Sequence, residues 1–497
     1  MQRTAGILMP IFSLPGPYGI GTLGSEARTF ADFLQAAGQT WWQILPVGPT
    51  GAGDSPYTSV STFAGNPLLI DLEALAAEGL LTKAELETAR MPEGEPVVYA
   101  AVYESRNRLL RKAFSRLSGE RAQAARDFTN RNPWVKEYAL YQAAKSHFQD
   151  APWYLWPDEA LRRHEASALE HWRAVLAEDV AFHTAVQYWF DTQWTAFKAY
   201  VNARGVKLIG DLPIYVSLDS ADVWSEREQF LLDGAGRPSK VAGVPPDSFS
   251  ADGQLWGNPL YNWSAMKADG FGWWIRRVEG AATRVDALRL DHFRAFESYW
   301  AVPYGEPTAK NGRWIKGPGM NLVGVLKGWF SSLQFIAEDL GYLTPEVRQF
   351  LQDSGFPGMK VLEFAFDSRE PSDYLPHTYT PNCVCYVGTH DNAPVMAWKD
   401  EADPDDVALA VRYLGLNQEE GFHWGMIRGG QSSVADLFIA QMQDYLGLGA
   451  DSRMNTPGLL GGNWQWRLMP EQLDAMLAKR MAEIAWIYGR SPSEHKP

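Results

Sequence analysis

Cysteine is scarce: the 497 residues hold only Cys383 and Cys385. Two sulfurs at i, i+2 cannot staple a fold, so a disulfide framework is excluded. With no further cysteine to complete a metal set, the pair reads as small buried hydrophobes on one face of a strand. Basic runs are missing too, and the net charge is −14, which removes the phosphate-neutralising footprint of a nucleic-acid binder. No apolar run approaches the length of a membrane span. The N-terminal stretch from Ile7 to Leu14 is interrupted by Pro10 and followed by Gly16, Pro17 and Gly19, which suits a strand and loop better than a secretory core. The nine histidines are dispersed without ligand spacing, so no metal or other cofactor is expected. Neither nucleic-acid nor membrane partners are expected, and the chain is taken as a cytoplasmic monomer.

What is plentiful is aromatic: 13% of the chain, including 21 tryptophans. Flat apolar rings suit the C–H faces of sugars, but they also fill ordinary cores, so composition alone leaves both uses open.

The chain exceeds one ordinary domain, a length that an α/β barrel with insertions can reach around a single core. Ser25 is placed to cap a helix whose Phe30, Phe33, Leu34 and Ala37 form one stripe, with Gly38 ending it. WWQILPV at 41–47 then reads as a strand buried on both faces. From about 70 to 205 the periodicity is helical. Thr82 and Glu85 are spaced as a capping box, and a long apolar stripe from Phe182 to Val201 ends at Gly205 and leads into VKLIGDLPIYV at 206–216. Strands recur at 284–293, 335–341, 359–366 and 383–391. Between the second and third of these, Thr344, Pro345 and Gly355 punctuate a helix, giving a βαβ unit. The expected fold is therefore α/β, a (β/α)₈ TIM barrel spanning 1–497. Inserted subdomains are expected at about 50–75, 76–205 (largely helical) and 217–275.

In a parallel barrel, reactive groups sit where strands emerge at their C-terminal ends. Asp211 closes KLIGD, Asp291 closes DALRLD, Glu338 and Asp339 close FIAED, and His390 and Asp391 close VCYVGTHD. One such carboxylate is readily explained as a helix cap or a loop former. Several on one barrel mouth repel one another unless protonated, paired with cations or used on a substrate. Arg289 lies two residues before Asp291, on the same strand face, and can hold that carboxylate ionised as a nucleophile. Glu338, in a more apolar setting, can carry a raised pKa and act as proton donor. Retention of configuration would place the pair about 5 Å apart.

DALRLDHFRAF, FIAEDLG and GTHDN, in this order, resemble the nucleophile, acid/base and transition-state-stabiliser motifs of the α-amylase clan. Within it the chain resembles glycoside hydrolase family 77, the 4-α-glucanotransferases. The further matches are SPYTSVSTFAGNPLLIDL at 55–72, DLPIYVSLDSADVW at 211–224, GVPPDSFSADGQLWGNPLYNW at 243–263, RMNTPG at 453–458 and GNWQWR at 462–467. The resemblance implies that Asp291 attacks the anomeric carbon, Glu338 protonates the leaving oxygen and Asp391 stabilises the transition state. It also implies substrate contacts from Tyr57, Asp211, Trp256, Arg289, His390 and Asn463, with Trp256 on a loop at 243–263 covering the acceptor side. The implied partners are α-1,4-glucans and maltooligosaccharides. An α-glucan hydrolase of the same clan and a noncatalytic glucan-binding protein remain as alternatives at this point.

Overall fold

The computed structural model describes residues 3–246, 250–341, 343–459 and 461–492. Its apolar runs become eight short parallel strands: β1 Thr4–Leu8, β2 Trp41–Gln43, β3 Lys207–Leu212, β4 Ala287–Leu290, β5 Gln334–Ala337, β6 Gly358–Val361, β7 Cys383–Tyr386 and β8 Leu437–Gln441. Their hydrogen-bonded order is β6-β7-β8-β1-β2-β3-β4-β5, which is chain order read around a circle. The last seam, β5 to β6, is bridged where the Ala337 N–H donates to the Pro357 carbonyl at 2.9 Å. There the Met359 N–H also donates to the Asp339 carboxylate at 2.6 Å. The sheet is thus the expected (β/α)₈ barrel. Asp339, one of the strand-end acids, is occupied in closing it.

Each strand contributes to an inner cluster that includes Leu8, Trp41, Ile209, Ala287, Ile336, Met359, Val384 and Ile439. This cluster fixes the inward parity of every strand, because successive side chains alternate across the sheet. On β7, Val384 and Tyr386 point inward, so Cys383 and Cys385 share the outer face, where both are buried free thiols.

The strands are shorter than the apolar runs that produce them. The run at 41–47 yields only Trp41–Gln43, and the run at 206–216 stops at Leu212, before Pro213, which has no N–H to give to a ladder. The apolar remainders pack as buried loop. Ser25 is the first residue of its helix, Ser25–Ala36, and the capping position falls to Gly24 with no side-chain bond. The other punctuation stands as read. Thr82 and Glu85 form the capping box, the long helix runs Ala177–Ala203, and Thr344 caps Pro345–Ser354 with Gly355 left-handed at φ 70°.

A second, antiparallel sheet stands on the barrel, in the order Gln254–Pro259, Lys240–Val244, Ser298–Pro303, Arg313–Lys316. It draws strands from two successive connections, after β3 and after β4. Of 243–263, expected as a loop, residues 243–244 and 254–259 belong to strands of this sheet, and residues 247–249 lie outside the described residues. Many tryptophans are core: Trp42, Trp153, Trp156, Trp224, Trp273 and Trp274 are fully buried. Among the described residues no helix is long and apolar enough to cross a membrane.

Candidate active site

Inward parity carries the strand-end acids into one place. Ile209 faces the barrel interior, so Asp211 does too. Ala287 sets the direction of Arg289 and Asp291, and Ile336 that of Glu338. Register then selects neighbours. Asp211 pairs with Arg289 across β3 and β4, and Leu290 pairs with Ala337 across β4 and β5, so Asp291 and Glu338 leave adjacent strands at the same level.

Arg289 is almost wholly buried, and its Nη1 serves two carboxylates. It donates to Asp211 Oδ1 at 2.8 Å and Oδ2 at 2.6 Å, and to Asp291 Oδ1 at 3.1 Å. The Tyr57 hydroxyl donates to Asp211 Oδ2 at 2.6 Å. Glu338 is pinned at both oxygens by main chain: the His292 N–H donates to Oε2 at 2.7 Å and the Leu340 N–H to Oε1 at 2.8 Å.

These contacts act on the protons of both acids. Burial pushes the Asp291 carboxyl up to about 8, opposed by Arg289 and reinforced by the charges of Asp211, Glu338 and Asp391. Burial raises Glu338 as well, against Arg289 and its two backbone donors. Arg289 opposes the rise at Asp291 through one contact, while its two shortest contacts go to Asp211. Asp291 and Glu338 therefore titrate as a pair that retains a proton above the ordinary carboxylate range.

Asp391 approaches from the other side. β7 ends at Tyr386, and the chain turns through Gly388, where a Cβ would fall 2.9 Å from Glu363 Oε1. Asn392 then ties the turn by accepting from the Thr389 N–H at 2.8 Å. The Asp391 side chain is 44% exposed, with His390 Nε2 at 3.3 Å from Oδ2. The Asn455 amide donates to Asp391 Oδ1 at 2.6 Å. His390 is buried, and that burial lowers its pKa, leaving a neutral imidazole. Its ring stacks on Tyr57 with centroids 5.1 Å apart at 17°, and Trp464 tilts against Tyr57 at 5.9 Å and against His390 at 6.0 Å.

The two remaining substrate-binding candidates lie at the margins. Trp256 is 37% exposed, and it meets His292 edge-on at 4.9 Å. The Asn463 side chain is engaged with main chain, accepting from the Thr456 N–H at 3.0 Å and donating to the Leu459 carbonyl at 3.0 Å. Sequence reasoning did not single out Asn455, Arg453 or Trp464. The signal was present, since they lie in RMNTPG and GNWQWR, but nothing in those motifs says which acid they approach.

The site thus gathers the carboxyls of Asp211, Asp291 and Glu338 about the buried guanidinium of Arg289, with Asp391 near enough for its charge to bear on Asp291, Tyr57 stacked on His390, and Trp256 at the margin. That inventory suits acetal chemistry on a sugar. The family model of glycoside hydrolase family 77, described as 4-alpha-glucanotransferase, matches residues 9–473. The chain is 45% identical to a 4-alpha-glucanotransferase of Clostridium butyricum, covering 97% of this chain and 100% of the relative. It is 45% identical to one of Thermus thermophilus, covering 98% of each. The solved amylomaltase of Streptococcus agalactiae in complex with acarbose is similar over 99% of this chain and 100% of its own, with TM-score 0.96 and 41% identity.

Proposed function

The chain belongs to glycoside hydrolase family 77, the 4-alpha-glucanotransferases, and within that activity we propose that it moves α-1,4-glucan segments to an acceptor 4-hydroxyl through a covalent intermediate on Asp291. The observation that carries this reading is the convergence of acids from β4, β5 and the turn after β7, with Asp291 feeling the charges of both Glu338 and Asp391.

In the first step the protonated Glu338 gives its proton to the glycosidic oxygen while the Asp291 carboxylate attacks the anomeric carbon. The old C–O bond breaks, an ester bond to Asp291 forms, and the leaving glucan departs as an alcohol. In the second step the Glu338 carboxylate takes the proton of an acceptor 4-hydroxyl as that oxygen displaces Asp291. Configuration is retained after two inversions.

The proton held by the Asp291–Glu338 pair is the one this scheme requires. Positive charge developing on the sugar ring beside Asp291 favours its ionised form and leaves the proton on Glu338. Asp391 lends its charge to the same developing cation. Tyr57 and neutral His390 offer a stacked surface and hydroxyl contacts to the donor sugar, and Trp256 walls the acceptor side. The inserted segments 76–205 and 217–275 would flank the groove and favour a sugar hydroxyl over water. The Streptococcus agalactiae relative binds acarbose, and we extend glucan-like ligands of that kind to this groove.

The test is incubation with maltotriose and separation of products by size. A ladder of shorter and longer glucans is expected. Glucose and maltose alone would replace the reading with hydrolysis, and unchanged maltotriose would replace it with binding.

A further inference from the structure

Asp391 is the one member of the acid trio that no strand end positions. Its carboxylate stands five residues beyond the last residue of β7 and is reached from a segment more than sixty positions away in the chain. The Arg453 guanidinium ties the two segments together. Arg453 Nη2 donates to the main-chain carbonyl of Asp391 at 3.0 Å, and Arg453 Nε donates to the main-chain carbonyl of Asn455 at 2.9 Å. One guanidinium therefore holds both backbones, and the side chains then meet, with Asn455 Nδ2 2.6 Å from Asp391 Oδ1. The loop carrying Asn455 is itself braced, because the Trp464 N–H donates to the Met454 carbonyl at 2.7 Å.

We infer that Asn455 is a positioning residue for the transfer reaction, fixing the Asp391 carboxylate through a neutral donor so that its charge stays available to the sugar. This rests on the role proposed above for Asp391. The choice of donor is the physical point. A guanidinium or ammonium at 2.6 Å would orient the carboxylate equally well but would spend its charge in an ion pair. An amide supplies direction without compensation, and an ionised carboxylate can only accept, so the amide nitrogen must face it. Arg453, the cation on the same loop as Asn455, gives these bonds to main-chain carbonyls instead. The arrangement parallels Arg289, which gives its shortest bonds to Asp211 and a longer one to Asp291.

The experiment is steady-state disproportionation of maltotriose by the full chain, comparing wild type, Asn455→Ala, Asn455→Asp and each change combined with Asp391→Asn, with α-maltosyl fluoride as the donor for slow variants. Asn455→Ala is expected to lower kcat by about 10²-fold with KM within about threefold, the signature of a misaligned group rather than lost binding. Affinity for deoxynojirimycin, whose ring nitrogen carries positive charge, should fall alongside kcat. In the Asp391→Asn background the same change should add less than about twofold, since a residue acting through Asp391 has nothing left to position. Asn455→Asp, nearly the same shape, sets a second carboxylate against Asp391 and should move the acid limb of the pH–kcat profile upward. The inference is overturned if Asn455→Ala keeps kcat within about threefold of wild type, if its full loss persists in the Asp391→Asn background, or if Asn455→Asp leaves the acid limb in place. A wild-type protein that forms no ladder from maltotriose overturns the functional reading itself, which is a different failure.

Discussion

Asp291 and Asp391 face the same barrel mouth, but they are held in different ways. On the β3–β5 side the acids sit at or immediately beyond strand ends, and pairing register decides which of them touch. Asp211 lies opposite Arg289, and Asp291 leaves β4 level with Glu338 on β5. On the β7 side the acid rides on a turn and is fixed by a second loop, through Asn455 and Arg453. The first region is rigid because the sheet is rigid. The second is only as well placed as its loop contacts, and it is the more exposed to solvent. On the proposed scheme the contrast divides the labour: the register-held side would make and break bonds, and the loop-held side would answer to charge.

The largest effect should come from the register-held side. Asp291→Asn, measured as turnover of maltotriose, is expected to lose at least roughly 10⁴-fold while glucan binding persists, because the nucleophile is removed from an intact groove. Near-normal disproportionation would take Asp291 out of the role. Glu338→Gln should lose about 10²–10⁴-fold on maltooligosaccharides, and much less on a glycosyl fluoride, which leaves without a proton. Equal losses on both donors would deny Glu338 its part as acid.

A smaller effect tests the electrostatics of that side. Asp291 attacks only when ionised, so activity falls as pH drops through its pKa, which burial and the neighbouring acids have raised. Asp211→Asn removes one of those charges and releases Arg289 toward Asp291. The acid limb of kcat/KM should then move down by about one pH unit, even as the rate itself declines. An upward shift would contradict the coupling.

The smallest effect belongs to the loop-held side. Asp444, just past β8, is buried and accepts from the Val395 N–H at 2.8 Å, four residues beyond Asp391. Burial pushes it up to about 7. A carboxyl raised in the fold stabilises it fully below its unfolded value of about 4, and that contribution is lost as pH rises toward 7. Asp444→Asn should therefore compare more favourably with wild type at pH 8 than at pH 5, by about 1 °C in Tm for each kcal/mol in a chain of this length. A difference that does not vary with pH would place the titration elsewhere.

The same contrast explains what could be read from the sequence. Strand-end acids are legible because apolar runs mark their own ends, so Asp211, Asp291 and Glu338 could be placed at the barrel mouth before any contact was known. Register is not written in one strand, so the preference of Arg289 for Asp211 over Asp291 could not be read, nor could the use of Asp339 to close the β5–β6 seam. The contact of Asn455 with Asp391 joins two loops with no periodicity to betray it. The strands of the second sheet at Ser298–Pro303 and Arg313–Lys316 went unassigned, the latter being short and largely exposed. Aromatic abundance pointed toward sugar yet belongs in large part to the core, with Trp256 a partly exposed exception beside the site.

The account rests on Asp291 becoming covalently joined to the sugar, and that bond can be caught. Incubation with a 5-fluoro-α-glucosyl fluoride slows breakdown of the intermediate more than its formation, and peptide mass mapping then locates the adduct. A single glucosyl adduct on the peptide carrying Asp291 is the predicted result. An adduct on Glu338 or Asp391, or fluoride release with inversion and no adduct, would contradict it.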